Sequence, residues 1–260
     1  MAASNPTATL SKLLGSVDIE DHEEVLKATN AILKKSKGDQ NALHTRVVAL
    51  LKLDRYADAL RTLDDGGDRL AERCAFEKAY ALYKTGELEK ANKIYMAYSA
   101  EQKNAEGARA LAHVAAQAAY RAEQFEMASK LYKDLREREP KIAGEDNDLR
   151  INSLAVDVQL EWEGKGDKIE ESRKQLERSD LEAFETTYNA ACGCVARGDL
   201  EAGSALLKRA RDLCEDLDEL TDDEKRAEIL PIMVQQAYVF TKLGKEQEAA
   251  TIQKQIEIAE

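Results

Sequence analysis

The 260-residue chain carries 50 acidic and 38 basic side chains, a formal net charge of −12, with 43% hydrophobic residues. Three prolines and 13 glycines are too few turn formers for an all-β fold, whereas the abundance of Ala, Leu, Glu and Lys favours helix. Residues 1–140 hold 22 acids and 22 bases, but residues 141–260 hold 28 and 16, and so acidic a second half opposes direct binding to phosphate backbones.

Residues 1–10 are expected to form a flexible N-terminus. Lys12–Val17 and Glu23–Lys35 then read as a first pair of helices, with Val25, Thr29 and Ile32 facing inward. Asn41 is the expected cap of a helix ALHTRVVALLKL, and a turn at Asp54-Arg55 leads to Tyr56, Ala59 and Leu63. Ala75–Tyr98 has the clearest pattern. It predicts two helices joined at Gly86-Glu87, with small Ala79 and Ala91 at the crossing and Leu82, Leu88, Tyr95 and Tyr98 beside them. The stretch ALAHVAAQAAYRAEQFEMASKLYKDLRERE follows, with Ala116, Phe125, Ala128, Tyr132 and Leu135 inward and Pro140 closing it.

A fifth unit is degenerate: a helix over Asp148–Glu163 with Trp162 near its end, a turn at Gly164–Asp167, and a highly charged, mostly exposed helix Ile169–Ser179. In the sixth, Ala191, Gly198, Leu200, Gly203, Leu207 and Ala210 take packing roles. Arg197-Gly198-Asp199 spells an adhesion tripeptide but falls on an inter-helix turn, so no adhesive role is expected. An acidic loop, Glu215–Glu224, is followed by a seventh unit, with Pro231 in the first turn of its helix and Ala237, Gly244, Ala249 and Ile256 completing the pattern.

The small residue of each second helix falls at Val25, Ala59, Ala91, Ala128, Gly203 and Ala249, giving gaps of 34, 32, 37, 75 and 46. A 34-residue helical hairpin with this pattern is the tetratricopeptide repeat. One hairpin cannot bury its own apolar face, so the copies must stack. The expected fold is an all-α superhelical solenoid of about seven such hairpins: repeats 1–4 over residues 11–140 and irregular repeats 5–7 over 141–260, as one continuous solenoid. The gap of 75 accommodates two units. Because the chain stops after a second helix without a polar capping helix, it is expected to be a fragment, or to be covered at that end.

Catalysis is not expected, since no Gly-rich phosphate loop, HExxH or GxSxG is present. Cys74, Cys192, Cys194 and Cys214 form no CxxC pair and the three histidines are scattered, so reduced thiols, no metal and no cofactor are expected. The opening MAASNPTATL lacks the features of a secretory signal, and no apolar run reaches the roughly 20 residues that cross a bilayer, so a cytoplasmic protein without a membrane partner is expected.

Binding to another polypeptide fits better. In stacked hairpins the first helices line the concave side. That projection places His44, Val48 and Leu51; Phe76, Tyr80, Tyr83 and Lys84; and His113, Gln117, Tyr120 and Arg121 along a groove. Tyr188, Asn189 and Cys192, then Val234, Gln235 and Tyr238, continue it. Tyrosine and arginine are enriched in interface hot spots, and the amides of Asn189 and Gln235 can bond a peptide backbone.

The runs Phe76-Glu77-Lys78-Ala79-Tyr80 and YRAEQFEMASKLYKDL (Tyr120–Leu135), the pair Tyr188-Asn189 with Ala191-Cys192, Asp212-Leu213-Cys214 and Gln236-Ala237-Tyr238 carry a resemblance. Together they resemble the N-terminal tetratricopeptide region of the family of 72-kDa subunits of the eukaryotic signal recognition particle, over nearly the whole chain. The charged Ile169–Ser179 departs from the family's animal members. The resemblance implies a cytosolic scaffold of a ribonucleoprotein that targets ribosomes with nascent signal sequences to the endoplasmic reticulum. It implies a groove that binds a C-terminal segment of the 68-kDa partner subunit, and RNA contact only through a downstream basic segment absent from this chain. Two other roles compete with this one. An adaptor for C-terminal carboxylates needs a cluster of cations, of which Lys84 and Arg121 lie on adjacent units without an Asn beside them. Self-association when the partner is absent is the other.

Overall fold

The computed structural model describes residues 21–98, 100–103, 108–139, 144–170 and 181–259. The terminus 1–10, the helix Lys12–Val17, Pro140 and most of Ile169–Ser179 lie outside them. Every regular element among the described residues is helical, and the fold is the all-α helical-repeat class expected. The chain divides into two compact units between Gln124 and Phe125.

The first unit contains α1 (His22–Lys35), α2 (Gln40–Lys52), α3 (Tyr56–Asp65), α4 (Asp68–Arg73), α5 (Ala75–Lys84), α6 (Leu88–Met96), α7 (Ala100–Lys103) and α8 (Ala108–Arg121). Helix α2 packs on α1 and α3, α5 on α3 and α6, and α8 on both α5 and α6. The second unit contains α9 (Phe125–Glu137), α10 (Glu145–Trp162), a 3-10 turn (Gly166–Lys168), α11 (Phe184–Ala196), α12 (Leu200–Glu215), α13 (Asp222–Lys242) and α14 (Glu246–Ala259). There each helix packs on the next, α10 bridging α9 and α11, and α13 bridging α12 and α14.

One backbone device recurs at the inter-helix turns. A residue with positive φ stands at Asp54, Gly86, Glu123, Gly164, Gly198 and Gly244. At each, its N–H reaches the carbonyl three residues back, and the next N–H reaches the carbonyl five residues back, as in Gly86 N to Tyr83 O (3.2 Å) and Glu87 N to Leu82 O (2.8 Å). These bonds satisfy carbonyls that a helix end leaves open. Glycine adopts this geometry without strain, whereas Glu123, with φ 57, does so against its Cβ. Gly198 and Gly244 are therefore exposed turn residues, not the packing residues expected from the pattern.

The packing positions themselves follow the expected period. Val25, Ala59, Ala91, Ala128, Gly203 and Ala249 are all buried. Four residues on, on the same helix face, Thr29, Leu63, Tyr95, Tyr132 and Leu207 are almost wholly inaccessible. Gly203 is glycine for a reason of space: a Cβ there would stand 2.7 Å from Cγ2 of Val195 on α11.

Four local expectations need correction. The cap of α2 is Asp39, whose carboxylate accepts from Asn41 N and Ala42 N, both at 3.0 Å, so Asn41 lies inside the helix. Helix α13 begins at Asp222, not after Glu224. Thr221 and Glu224 close a reciprocal capping box, and Asp222, Asp223 and Glu224 form its first turn, where negative charge suits the helix dipole. Pro231 accordingly sits well inside this 21-residue helix, on its exposed side, where it removes one backbone bond to the preceding turn. In the fifth unit, the turn at Gly164 leads to a 3-10 turn and then to Ile169, which is extended (ψ 130) and buried, so no exposed helix starts at that residue. The short helix α4 was not expected. It follows Gly66-Gly67 and buries Leu70.

Candidate protein-binding surface

Counting back from the left-handed turn residue aligns the first helices. Ten residues before it stand His44, Phe76, His113, Tyr188 and Val234. Six before it stand Val48, Tyr80, Gln117, Cys192 and Tyr238, and two before it Lys52, Lys84, Arg121, Ala196 and Lys242. Spacing by four keeps these on one helix face. In the fifth repeat the same positions hold Leu154, Val158 and Trp162, of which the first two are buried and Trp162 is 51% exposed.

In the first unit the file becomes a connected aromatic and cationic cluster. Phe76, 39% exposed, stacks on Tyr80 with ring centroids 6.1 Å apart, and Tyr56 meets Tyr80 edge-on at the same separation. Lys84 Nζ lies 5.5 Å from the centre of the Tyr56 ring and 5.9 Å from that of Tyr80. The Tyr56 hydroxyl donates to the Asp54 carboxylate, which raises its pKa above the ordinary phenol value. One repeat further, the Arg121 guanidinium lies 4.8 Å from the Tyr83 ring centre and donates to Tyr83 O at 3.2 Å. His44 Nε2 stands 3.0 Å from Glu77 Oε1. Burial alone pushes the Glu77 carboxyl up, but bonds from His44 and from the backbone hold it below its usual range. His113, Gln117 and Tyr120 are half-buried along α8, each engaged in a polar or ring contact.

In the second unit the equivalent groups are spent differently. Asn189 donates its side-chain N–H to Ile151 O at 3.0 Å, so this amide already links α11 to α10. Cys192 is buried, and burial pushes its thiol up to about 11. Tyr188 and Gln235 are half-buried, while Val234 and Tyr238 are 49% and 40% exposed. Lys242 lies over Tyr238 at 5.6 Å, repeating the Tyr80–Lys84 spacing. A separate cleft of about 480 Å³ lies among α12, α13 and α14, lined by Lys208, Asp212, Gln236, Phe240 and Ile252.

Sequence reasoning assembled Phe76, Tyr80, Tyr83, Lys84 and Arg121 on neighbouring helices but missed Tyr56 and Glu77. Tyr56 opens a second helix and so falls outside a projection made from first helices alone. Its position directly after the Asp54-Arg55 turn, beside the start of the next repeat, was the available signal.

The geometry can be set beside known proteins. Residues 18–159 match the family model SRP_TPR_like, a TPR-like repeat. The chain belongs to this family. It is 30% identical over 242 residues to the signal recognition particle subunit SRP72 of Canis lupus familiaris, and equally to that of Homo sapiens, covering 91% of this chain and 34% of each relative. The SRP72 of Caenorhabditis elegans is 28% identical over 245 residues, covering 92% of this chain and 36% of the relative. The chain thus spans about a third of the length of these curated relatives, and it corresponds to their TPR-like region. Among the described residues, no helix is long and apolar enough to cross a membrane.

Proposed function

We propose that this chain is a non-catalytic protein-binding scaffold of a signal recognition particle subunit, acting in the cytoplasm in co-translational targeting to the endoplasmic reticulum. Its first-helix file anchors the C-terminal segment of the 68-kDa partner subunit, as a helix or an extended strand. The observation that carries this reading is the connected cluster Tyr56–Phe76–Tyr80–Lys84 with Tyr83–Arg121 beyond it, in which the tyrosines are half-buried and Phe76, Lys84 and Arg121 exposed, in a chain similar to SRP72 over nine-tenths of its length. Rigid aromatic rings held by neighbours lose little freedom on binding and carry large contact area, which is the composition of hot spots. The acidic second half supports a role in which RNA is reached only through another segment.

The test is co-purification with stepwise truncations of the partner's C-terminal segment. Tyr80→Ala with Tyr83→Ala is expected to weaken capture by at least about 2 kcal/mol, roughly 30-fold, with the helical circular dichroism unchanged. Capture at full strength by this variant moves the interface to another face. An adaptor for C-terminal carboxylates would instead bind acidic C-terminal peptides through Lys84 and Arg121. Both cations are already seated over tyrosine rings, which disfavours that role.

A further inference from the structure

The first unit also gathers three donors of the kind that hold transition metals, at the edge of the binding surface, to which His44 also belongs. His44 comes from α2, Cys74 from the junction of α4 and α5, and Glu77 from the first turn of α5. His44 Nε2 and Glu77 Oε1 are 3.0 Å apart, and with Cys74 Sγ all three ligand atoms lie within 4.8 Å of one another. Spacing in sequence conceals them, because His44 is one repeat away from Cys74 and Glu77.

We propose that His44, Cys74 and Glu77 bind one zinc-type divalent cation, with solvent as the fourth ligand, and so clamp the second repeat to the third. The donor set selects the metal class: a thiolate and an imidazole favour zinc or cobalt over the all-oxygen shells of magnesium and calcium. Charge balances, since a neutral imidazole, a thiolate and a carboxylate together offset the two positive charges, with the thiol proton released to solvent. The site has a wet side and a dry side. The side chains of His44 and Glu77 are 31% and 17% exposed, leaving room for solvent, whereas Cys74 is fully buried. Bonds of about 2.0–2.3 Å in a tetrahedron set donors roughly 3.3–3.8 Å apart, so closure needs Sγ to approach by about 1 Å. Arg73, the nearest cation in sequence, donates its guanidinium N–H to Asn41 Oδ1 at 2.9 Å, yet its charge still acts on both Cys74 and Glu77, favouring their ionised forms.

The experiment is titration of the full, reduced chain with Co²⁺ alone. A thiolate-to-cobalt charge-transfer band and tetrahedral visible bands saturating at one equivalent are expected, with Zn²⁺ displacing the cobalt and raising Tm. Cys74→Ser should remove the charge-transfer band, and Cys192→Ser with Cys194→Ser should keep it. His44→Gln, on a partly exposed residue that tolerates change, should weaken cobalt binding by about tenfold or more. Absence of a stoichiometric band in the natural chain overturns the proposal. So does a band that survives Cys74→Ser, or unaltered affinity in His44→Gln, which would leave the His44–Glu77 contact as a hydrogen bond only. None of these readouts depends on partner capture.

Discussion

The two units repeat one hairpin pattern, yet they spend its variable positions differently. In the first, neighbouring repeats meet through rings and side-chain bonds, as in His44 to Glu77, Tyr56 to Tyr80 and Arg73 to Asn41, with Arg121 on Tyr83 O beside them. In the second, the Asn189 amide goes to backbone, on Ile151 O, while Arg197–Glu161 at 3.5 Å and Arg211–Gln255 at 3.1 Å join side chains away from any ring of the file. A ring or cation held by other side chains still presents one face to a partner. An amide committed to a carbonyl adds stacking and presents less. Under the proposed function, the first unit thus carries more of the recognition face than the second.

The comparison is most directly broken at its shared core position. Tyr95 in α6 and Tyr132 in α9 occupy the same place in the repeat and are each 1% exposed. Either Tyr→Ala change should cost about 3–5 kcal/mol, because the cavity left in a close-packed core relaxes only partly. Hydrogen exchange is the informative measurement. Tyr95→Ala should release amides in α5, α6 and α8, and Tyr132→Ala those in α9 to α11. Equal release across both units by either substitution would mean that the division at Gln124–Phe125 has no energetic counterpart.

A smaller effect sharpens the difference at the small-residue position. The first unit has Val25, Ala59 and Ala91 there and the second Ala128 and Ala249, but the second also has Gly203, set against the stiff, β-branched Val195. Gly203→Ala gains about 1 kcal/mol of helix propensity but forces a Cβ into a 2.7 Å contact. Overpacking of this kind costs about 1–3 kcal/mol, so denaturant melts should show net destabilisation. Adding Val195→Ala should recover part of it, and the double-mutant cycle should show coupling. Additive losses would mean that α11 and α12 have slack that the distance does not suggest.

How much of this could be read beforehand follows the physics of each feature. The period was legible from Ala59, Ala91, Ala128 and Gly203 because close helix approach admits few residue types. The aromatic face was legible because residues three and four apart share a helix face. Ends were less legible. Asp39 and Asn41 are both good caps, and only the backbone decides between them. The acidic run before Lys225 reads equally as a solvated loop or as the first turn of a helix. Least legible were contacts one repeat apart, such as Asn189 with Ile151 or His44 with Cys74 and Glu77. Bonds between stacked repeats span 32 residues in Arg73–Asn41 and 44 in Arg211–Gln255, and each register pairs different side chains.

The smallest expected effect concerns the capping box at the start of α13, a device the second unit has and α2 in the first unit does not. The Glu224 carboxylate accepts from Thr221 N at 2.9 Å and from Thr221 Oγ1 at 2.7 Å, and the backbone bond first, then the hydroxyl, holds its pKa below the ordinary glutamate value. A folded-state pKa lowered in this way means that ionised Glu224 favours the folded state. The contribution is complete above the unfolded carboxylate pKa and is lost as pH falls through the folded one. Acidification should therefore fray the first turn of α13 only below the ordinary carboxylate range, seen as faster amide exchange at Asp222–Lys225 while α2, capped by Asp39, frays on its own schedule. Glu224→Gln removes the charge but keeps an acceptor, so it should flatten this pH response at α13 and leave the rest of the unit unchanged. A carboxyl titration of Glu224 at the ordinary glutamate value would show that the capping box does not persist in solution. Helix α13 would then begin further along, as the acidic run first suggested.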